Sequence, residues 1–307
     1  MVQKPARLAL SIACLQALAN KTYYFLKMFQ SLDHLIIVVE DLEKAIHNYQ
    51  LIMGTPPVWT GRHKSLGTSN ALFNFQNIYL ELLSPTGEGS GADLISHYLK
   101  DSGEGLIGMV FATEDINSAR HSLVEKGFLV EEPSSGQGIN NSDQQTRNWK
   151  NLFLPPELTR GIFSFVIEHF DENLPQSKAL NASSPHKLDH VVINTNDADG
   201  FIKIYRDTFN IRLALDKFIE HWQKRMLFFR LNKTTIEVIE QKDDLKPNDK
   251  MWGLAWEITD IEKAHARLVA EGIEVTPVQK GIKEKTLVAT IKSHNHNVPT
   301  LLIQHLD

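Results

Sequence analysis

Cysteine is almost missing from this chain: Cys14 stands alone among 307 residues. That excludes an intramolecular disulfide framework, a cysteine zinc site and a thioredoxin-like pair. It fits a reducing cytoplasmic setting. A surplus of one charge is also lacking. With 32 basic and 37 acidic residues the net charge is −5, so nothing points to nucleic acid as a partner. No Gly-rich phosphate loop, nucleophile elbow or His-Glu-x-x-His motif occurs. The early apolar stretch 8–15 is broken by Gln16 and is too short to cross a bilayer, and no membrane partner is expected. What remains is an ordinary globular composition, 42% hydrophobic and 22% charged, in a chain long enough for two domains.

Residues 1–30 differ from the rest and form an N-terminal extension. Lys4-Pro5-Ala6-Arg7 before an apolar stretch imitates a signal peptide. The same stretch suits a peripheral amphipathic helix. A third reading, preferred because the patterned sequence begins soon after it, takes Met28 as the native start.

The patterned sequence repeats itself. Leu32-Asp33-His34 leads into a β-branched run, and Leu188-Asp189-His190 does the same. Each histidine is followed seven residues later by an acid, Asp41 and Asp197, and forty-seven residues later by a glutamate in an apolar strand, Glu81 and Glu237. Two fainter copies align on their acids. Gly108 precedes Asp115 by seven residues, and Gly253 precedes Asp260 by seven. After each acid, apolar residues recur at helical spacing, and Gly54, Gly127 and Gly272 close three of the four helices. Each acid sits where an N-cap belongs.

Strands follow each helix. In the first module they fall at 58–60, 71–75 and 78–83, and in the third at 214–218, 225–231 and 235–240. The second module ends in a strand at 162–170 and the fourth at 299–306. The fold class is therefore α+β, built from four βαβββ modules paired into two domains. A single module leaves one sheet face open, so pairing is the expected way to close a core. The modules span 31–90 and 105–173 in the first domain, and 187–245 and 250–307 in the second. The polar, aperiodic segment 174–186 reads as the linker.

These residues resemble the vicinal oxygen chelate superfamily, which includes glyoxalase I, extradiol dioxygenases, bleomycin resistance proteins and methylmalonyl-CoA epimerase. The first half is most similar to its glyoxalase-like domain group. Leu32-Asp33-His34-Leu35, Gly61-Arg62-His63, Gly67-Thr68-Ser69-Asn70, Tyr79-Leu80-Glu81-Leu82 and Asn148-Trp149-Lys150 carry the likeness. The second half matches the general module pattern only. The resemblance implies a U-shaped sheet with inward metal ligands. Carried over by position, it offers His34, Glu81 and Glu168 as ligands in the first domain, and His190, Glu237 and Gln304 as weaker candidates in the second. Gly108 and Gly253 stand at the remaining positions. The resemblance implies a divalent ion (Zn, Ni, Mn or Fe).

Strand alternation supports part of this. Leu80 and Leu82 share one face, which leaves Glu81 on the other with Tyr79 and Leu83. A buried carboxylate there needs a partner. Arg62 and His63, expected in a loop before Gly67, and Asn70 are candidates to contact the substrate, with Glu168, Glu81 and His63 as catalytic groups. Trp149 and Phe165 are expected in the core. His294-Asn295-His296 reads as a turn, and 280–285 as a solvated hairpin. The implied activity is a metal-dependent isomerase or lyase on a small molecule with adjacent oxygens. The alternatives are a non-catalytic binding or drug-sequestering protein and an extradiol-type dioxygenase, the last disfavoured because Gly108 and Gly253 replace a second histidine. A homodimer is one assembly open to such a chain.

Overall fold

The structure is a computed structural model that describes residues 27–171, 174–177, 180–220, 222–241 and 248–306. Cys14 and most of the N-terminal extension lie outside the described residues, as does part of the segment expected to be the linker.

Strand β1 (Ser31–Val38) is followed by helix α1 (Leu42–Met53) and strands β2 (Trp59–His63), β3 (Thr68–Asn74) and β4 (Tyr79–Pro85). Helix α2 (Ser90–Ser102) then leads to β5 (Gly105–Ala112), α3 (Ile116–Glu125), β6 (Ser134–Asn140), β7 (Thr146–Phe153), the single turn α4 (Pro156–Thr159) and β8 (Phe163–His169). The second domain repeats the plan with β9 (Pro185–Thr195), α5 (Ala198–Ile202) running into a π-helical turn at Lys203–Thr208, β10 (Arg212–Ile219), β11 (Lys224–Leu231) and β12 (Thr234–Glu240). Its last module contains β13 (Lys250–Ile258), α6 (Ile261–Ala270), β14 (Gln279–Lys280), β15 (Thr286–Ile291) and β16 (Thr300–His305).

The four repeated acids do start the helices. Asp41 accepts from the Lys44 amide, Asp115 from Asn117 and Ser118, Asp197 from Gly200, and Asp260 from Lys263. Each satisfies donors that a helix start leaves unpaired. Gly54 ends α1 in the left-handed region at φ 65°, where a side chain would be strained.

The two sheets differ. The first closes into a barrel in the order β1-β4-β3-β2-β6-β7-β8-β5. Its last seam is the short pairing of Gly61 with Asn140 and Arg62 with Ile139. The second is an open sheet in the order β10-β11-β12-β9-β13-β16-β15-β14. Helix α2, between the modules of the first domain, was not announced by the repeat. It sends Ile95 into the barrel beside Ile36, Val38 and Leu83. The corresponding stretch between β12 and β13 is much shorter.

Outward sheet faces and helices from both domains share one apolar core, in which Phe75 meets Trp256 at 4.4 Å between ring centroids. Polar ties fix the domains together. Arg160 donates to Asp249 (2.6 Å) and Asp197 (3.2 Å). His296 donates through Nδ1 to Glu104 (2.8 Å), and Asn48 donates to its Nε2 (3.0 Å). His294, His296 and Asn297 all have positive φ, the turn expected from sequence, and His296 serves there as an interdomain clasp.

Candidate functional site

A cavity of about 270 Å³ lies inside the first barrel. Trp59, Leu72, Trp149, Phe163, Phe165 and Ile167 give it mainly apolar walls, and α2 covers part of it through Leu94 and Ile95. His34, Glu81, Asn70 and His63 reach into it from β1, β4, β3 and β2. All four are at least nine-tenths buried.

The register explains how Leu-Asp-His works. On β1 the pairing with β5 slips between Leu32 and His34, which leaves Asp33 as the extra residue of a bulge. A bulge re-aims its side chain. Here Asp33 accepts from His34 Nδ1 at 2.7 Å, and His169 Nε2 approaches both its oxygens at 3.2 Å. His34 Nε2 faces Glu81 Oε2 at 3.4 Å, while Tyr79 stacks on the imidazole at 4.5 Å. Asn70 donates to the other Glu81 oxygen at 2.7 Å and lies 3.4 Å from His63 Nε2. Asn70 Oδ1 is buried without a partner. His63 Nδ1 is 2.9 Å from Thr68 Oγ1.

These contacts separate the two histidines electrically. Burial pulls His34 down, but the hydrogen bonds to Asp33 and Glu81 outweigh it and push its pKa up to about 9. Burial also dominates at His63, whose pKa is lowered despite Glu81 nearby. At neutral pH His34 is an imidazolium and His63 a neutral base. Burial opposes ionisation of Asp33 and Glu81, yet their histidine partners hold both below their ordinary values.

Glu168 does not join the group. Strand alternation on β8 turns Phe163, Phe165, Ile167 and His169 into the cavity. Glu168 therefore points to the helix side and accepts from the Ile116 amide at the start of α3, 3.1 Å away. Gln304 does the same for Ile261 at the start of α6, at 2.9 Å. Register identifies the true counterparts. Glu81 pairs with Ile36, and the matching residue Val110 pairs with Phe165. In the second domain Glu237 pairs with Val192, and Ala255 pairs with Leu301. The positions facing each His/Glu pair thus hold Gly108 and Phe165, or Gly253 and Leu301. A Cβ on Gly108 would lie 2.4 Å from the Phe163 carbonyl oxygen, and one on Gly253 would lie 2.6 Å from that of Pro299.

Residues 61–63 also differ from expectation. They belong to β2 rather than a loop, so alternate faces separate them. His63 is inside the barrel, and Arg62 is outside, where it donates to Asn141 and Gln144. Trp149 and Phe165, expected in the core, line the cavity. Asp33 and His169 join the site without having been expected there, although Asp33 lies within the repeated phrase itself.

The second domain copies the bulge but not the polar wall. Asp189 is the extra residue between Leu188 and His190. It contacts His190 at 2.8 Å and His305 at 2.7 Å, and His190 stands 3.7 Å from Glu237. Register places Met226 where Asn70 stands and Ile219 where His63 stands. Lacking the amide donor, Glu237 is governed by burial, and its pKa is raised. Asp189, Glu257 and His305 come close enough to hold an ion. Lys187 already sits 2.5 Å from Glu257 and supplies the counter-charge.

The Glyoxalase-like domain family matches residues 32–209, and the Glyoxalase/Bleomycin resistance protein/Dioxygenase superfamily matches 189–290. A curated relative, the Ethylmalonyl-CoA/methylmalonyl-CoA epimerase of Cereibacter sphaeroides, is 33% identical over 104 residues, which cover 34% of this chain and 75% of the relative. Among solved structures, a mutant of 4-hydroxymandelate synthase from Streptomyces coelicolor aligns with TM-score 0.64 at 15% identity, covering 90% of this chain and 92% of that one. The Mn(II)-bound glyoxalase from Novosphingobium aromaticivorans aligns with TM-score 0.59 at 15% identity, covering 91% and 83%. Those two likenesses concern the fold. Two family matches in tandem, over two sheets of paired βαβββ modules, place this chain in the glyoxalase and dioxygenase superfamily of vicinal oxygen chelate folds, with its first half in the glyoxalase-like domain family.

Proposed function

We propose that the chain is a small-molecule isomerase or lyase whose chemistry takes place in the barrel cavity of the first domain, with His63 as proton acceptor and His34 as the cation facing a substrate oxygen. The observation that carries this reading is the convergence of His34, Glu81, Asn70 and His63 on one wall of an otherwise apolar cavity. Two titratable groups with opposed protonation states are the usual arrangement for acid–base work.

A resident divalent ion fits this wall poorly. His34 Nε2 and Glu81 Oε2, 3.4 Å apart, have the spacing of two ligands on one ion with bonds of about 2.1 Å. The facing positions carry Gly108 and Phe165, and Glu168 points away. Two protein ligands are fewer than the usual three of a catalytic zinc site. The chemistry is therefore assigned to side chains. Neutral His63 accepts a proton from a carbon next to a carbonyl, through Nε2. The electron pair moves onto the carbonyl oxygen, where protonated His34 and the Asn70 amide stabilise the negative charge. His63 then returns the proton to the neighbouring atom of the same face, which completes an isomerisation. The apolar walls exclude water, and Glu81 with Asp33 keeps His34 charged and oriented. The epimerase relative, named for an isomerisation, supports the reaction class.

The test is deuterium exchange. The protein is incubated in D2O with short acyl thioesters, α-keto acids and 1,2-diketones, and NMR follows the protons next to each carbonyl. Wild type should accelerate exchange for one class, and His63→Gln should lose on the order of 100-fold or more. Exchange no faster than in buffer across the panel would remove the proposal. The apolar walls also suit a non-catalytic binder, which would take up a ligand without exchanging its protons.

A further inference from the structure

The cavity holds one charge that the reading above does not use. Arg147 lies on β7 and faces inward with Trp149, Asn151 and Phe153, the alternate residues of that strand. Its guanidinium lies over Trp59, 5.9 Å from the ring centroid. Its Nε is buried and has no hydrogen-bond partner. Among the described residues, the other half-buried arginines have acceptors: Arg120 on Glu131, Arg160 on Asp249, Arg225 on Asp216, and Arg267, whose own Nε is also without a partner, on Ile52 through Nη2. Glu81, the carboxylate of the cavity wall, does not serve Arg147, because His34 and Asn70 hold it, and nearby Asp33 is held by two histidines.

We infer that Arg147 docks an anionic group of the ligand, so that the cavity takes a molecule with an apolar body and a carboxylate. This rests on the reading of the cavity as a small-molecule site. Leaving the buried Nε of Arg147 unpaired in a partly desolvated wall is costly, and a carboxylate matches a guanidinium's fork with two parallel hydrogen bonds. Trp59 supports the guanidinium from one face, which leaves Nε available to a ligand. The apolar body then lies along Trp149, Leu72 and Ile167, within reach of the His34 wall.

The experiment uses the full chain labelled with 15N-tryptophan. 4-Phenylbutyrate and the uncharged 4-phenylbutyramide are titrated while the indole signals of Trp59 and Trp149 are followed. The acid should bind about tenfold or more tightly than the amide, the advantage expected of hydrogen bonds between charged groups. Arg147→Gln should abolish that preference, so that acid and amide bind alike. Arg147→Lys, which keeps the charge without the fork, should retain part of it, and Arg212→Gln on the exposed face of β10 should retain all of it. Equal binding of acid and amide to wild type, or a preference that survives Arg147→Gln, overturns the inference while leaving the cavity reading in place. No indole shift with either compound overturns both.

Discussion

Raising the pH should loosen this protein through a single imidazole. His34 is 3% exposed and lies between Asp33 and Glu81. Its pKa rises from 6.5 to about 9 because the two carboxylates outweigh burial. A group whose pKa rises on folding stabilises the fold fully below its unfolded value and loses that contribution as pH climbs through its folded value. The window therefore runs from pH 6.5 to about 9. At about 1.4 kcal/mol per pH unit, the shift corresponds to roughly 3 kcal/mol. Urea unfolding at pH 6, 8 and 9.5 should show wild type losing stability across that window. His34→Gln keeps a polar side chain but cannot titrate, so its curve should be flatter by about that amount. NMR of the His34 ring should show a midpoint well above 7. Parallel pH profiles for the two proteins, or a His34 midpoint at or below 6.5, would refute the reasoning.

Much of the architecture was legible because it depends on local chemistry. An acid before an apolar-periodic run can cap a helix without knowing the rest of the fold, and all four acids do so. The face of Glu81 followed from two flanking leucines, since alternation along a strand is a local rule. Failures began where register between strands mattered. Carrying a family position onto β8 selected Glu168, but pairing through β5 puts Phe165 at the glutamate position. Ile167-Glu168-His169 and Ile303-Gln304-His305 do correspond between the domains. What they repeat is a polar side chain over a helix start, followed by a histidine that grips the bulged aspartate. Asp33 was hidden because a bulge breaks alternation, and alternation was the rule in use. Barrel closure was unreadable because it rests on two residue pairs between distant strands, β2 and β6.

Further outcomes follow from particular contacts. Metal analysis of protein purified without added metal should find well under one divalent ion per chain, and one equivalent lost on His34→Ala would show a resident ion after all. Gly108→Ala should destabilise by about 1–3 kcal/mol, because its new Cβ would press on the Phe163 carbonyl oxygen. A shift in Tm of less than a degree would contradict that packing. Arg160→Met should cost about 3–5 kcal/mol, since it strands Asp249, which is 1% exposed, at the domain interface. Calorimetry should show the loss, and an unchanged Tm would mean the interface does not depend on that pair.

The central claim is that chemistry resides in the first barrel, while the second sheet keeps the repeated motif without the polar wall. Glu81→Gln and Glu237→Gln change matching residues in the two domains, so their comparison in the deuterium-exchange assay is the most direct test. The account predicts that Glu81→Gln loses on the order of 100-fold in exchange rate and that Glu237→Gln stays within twofold of wild type. A loss confined to Glu237→Gln, or equal losses from both, would contradict it.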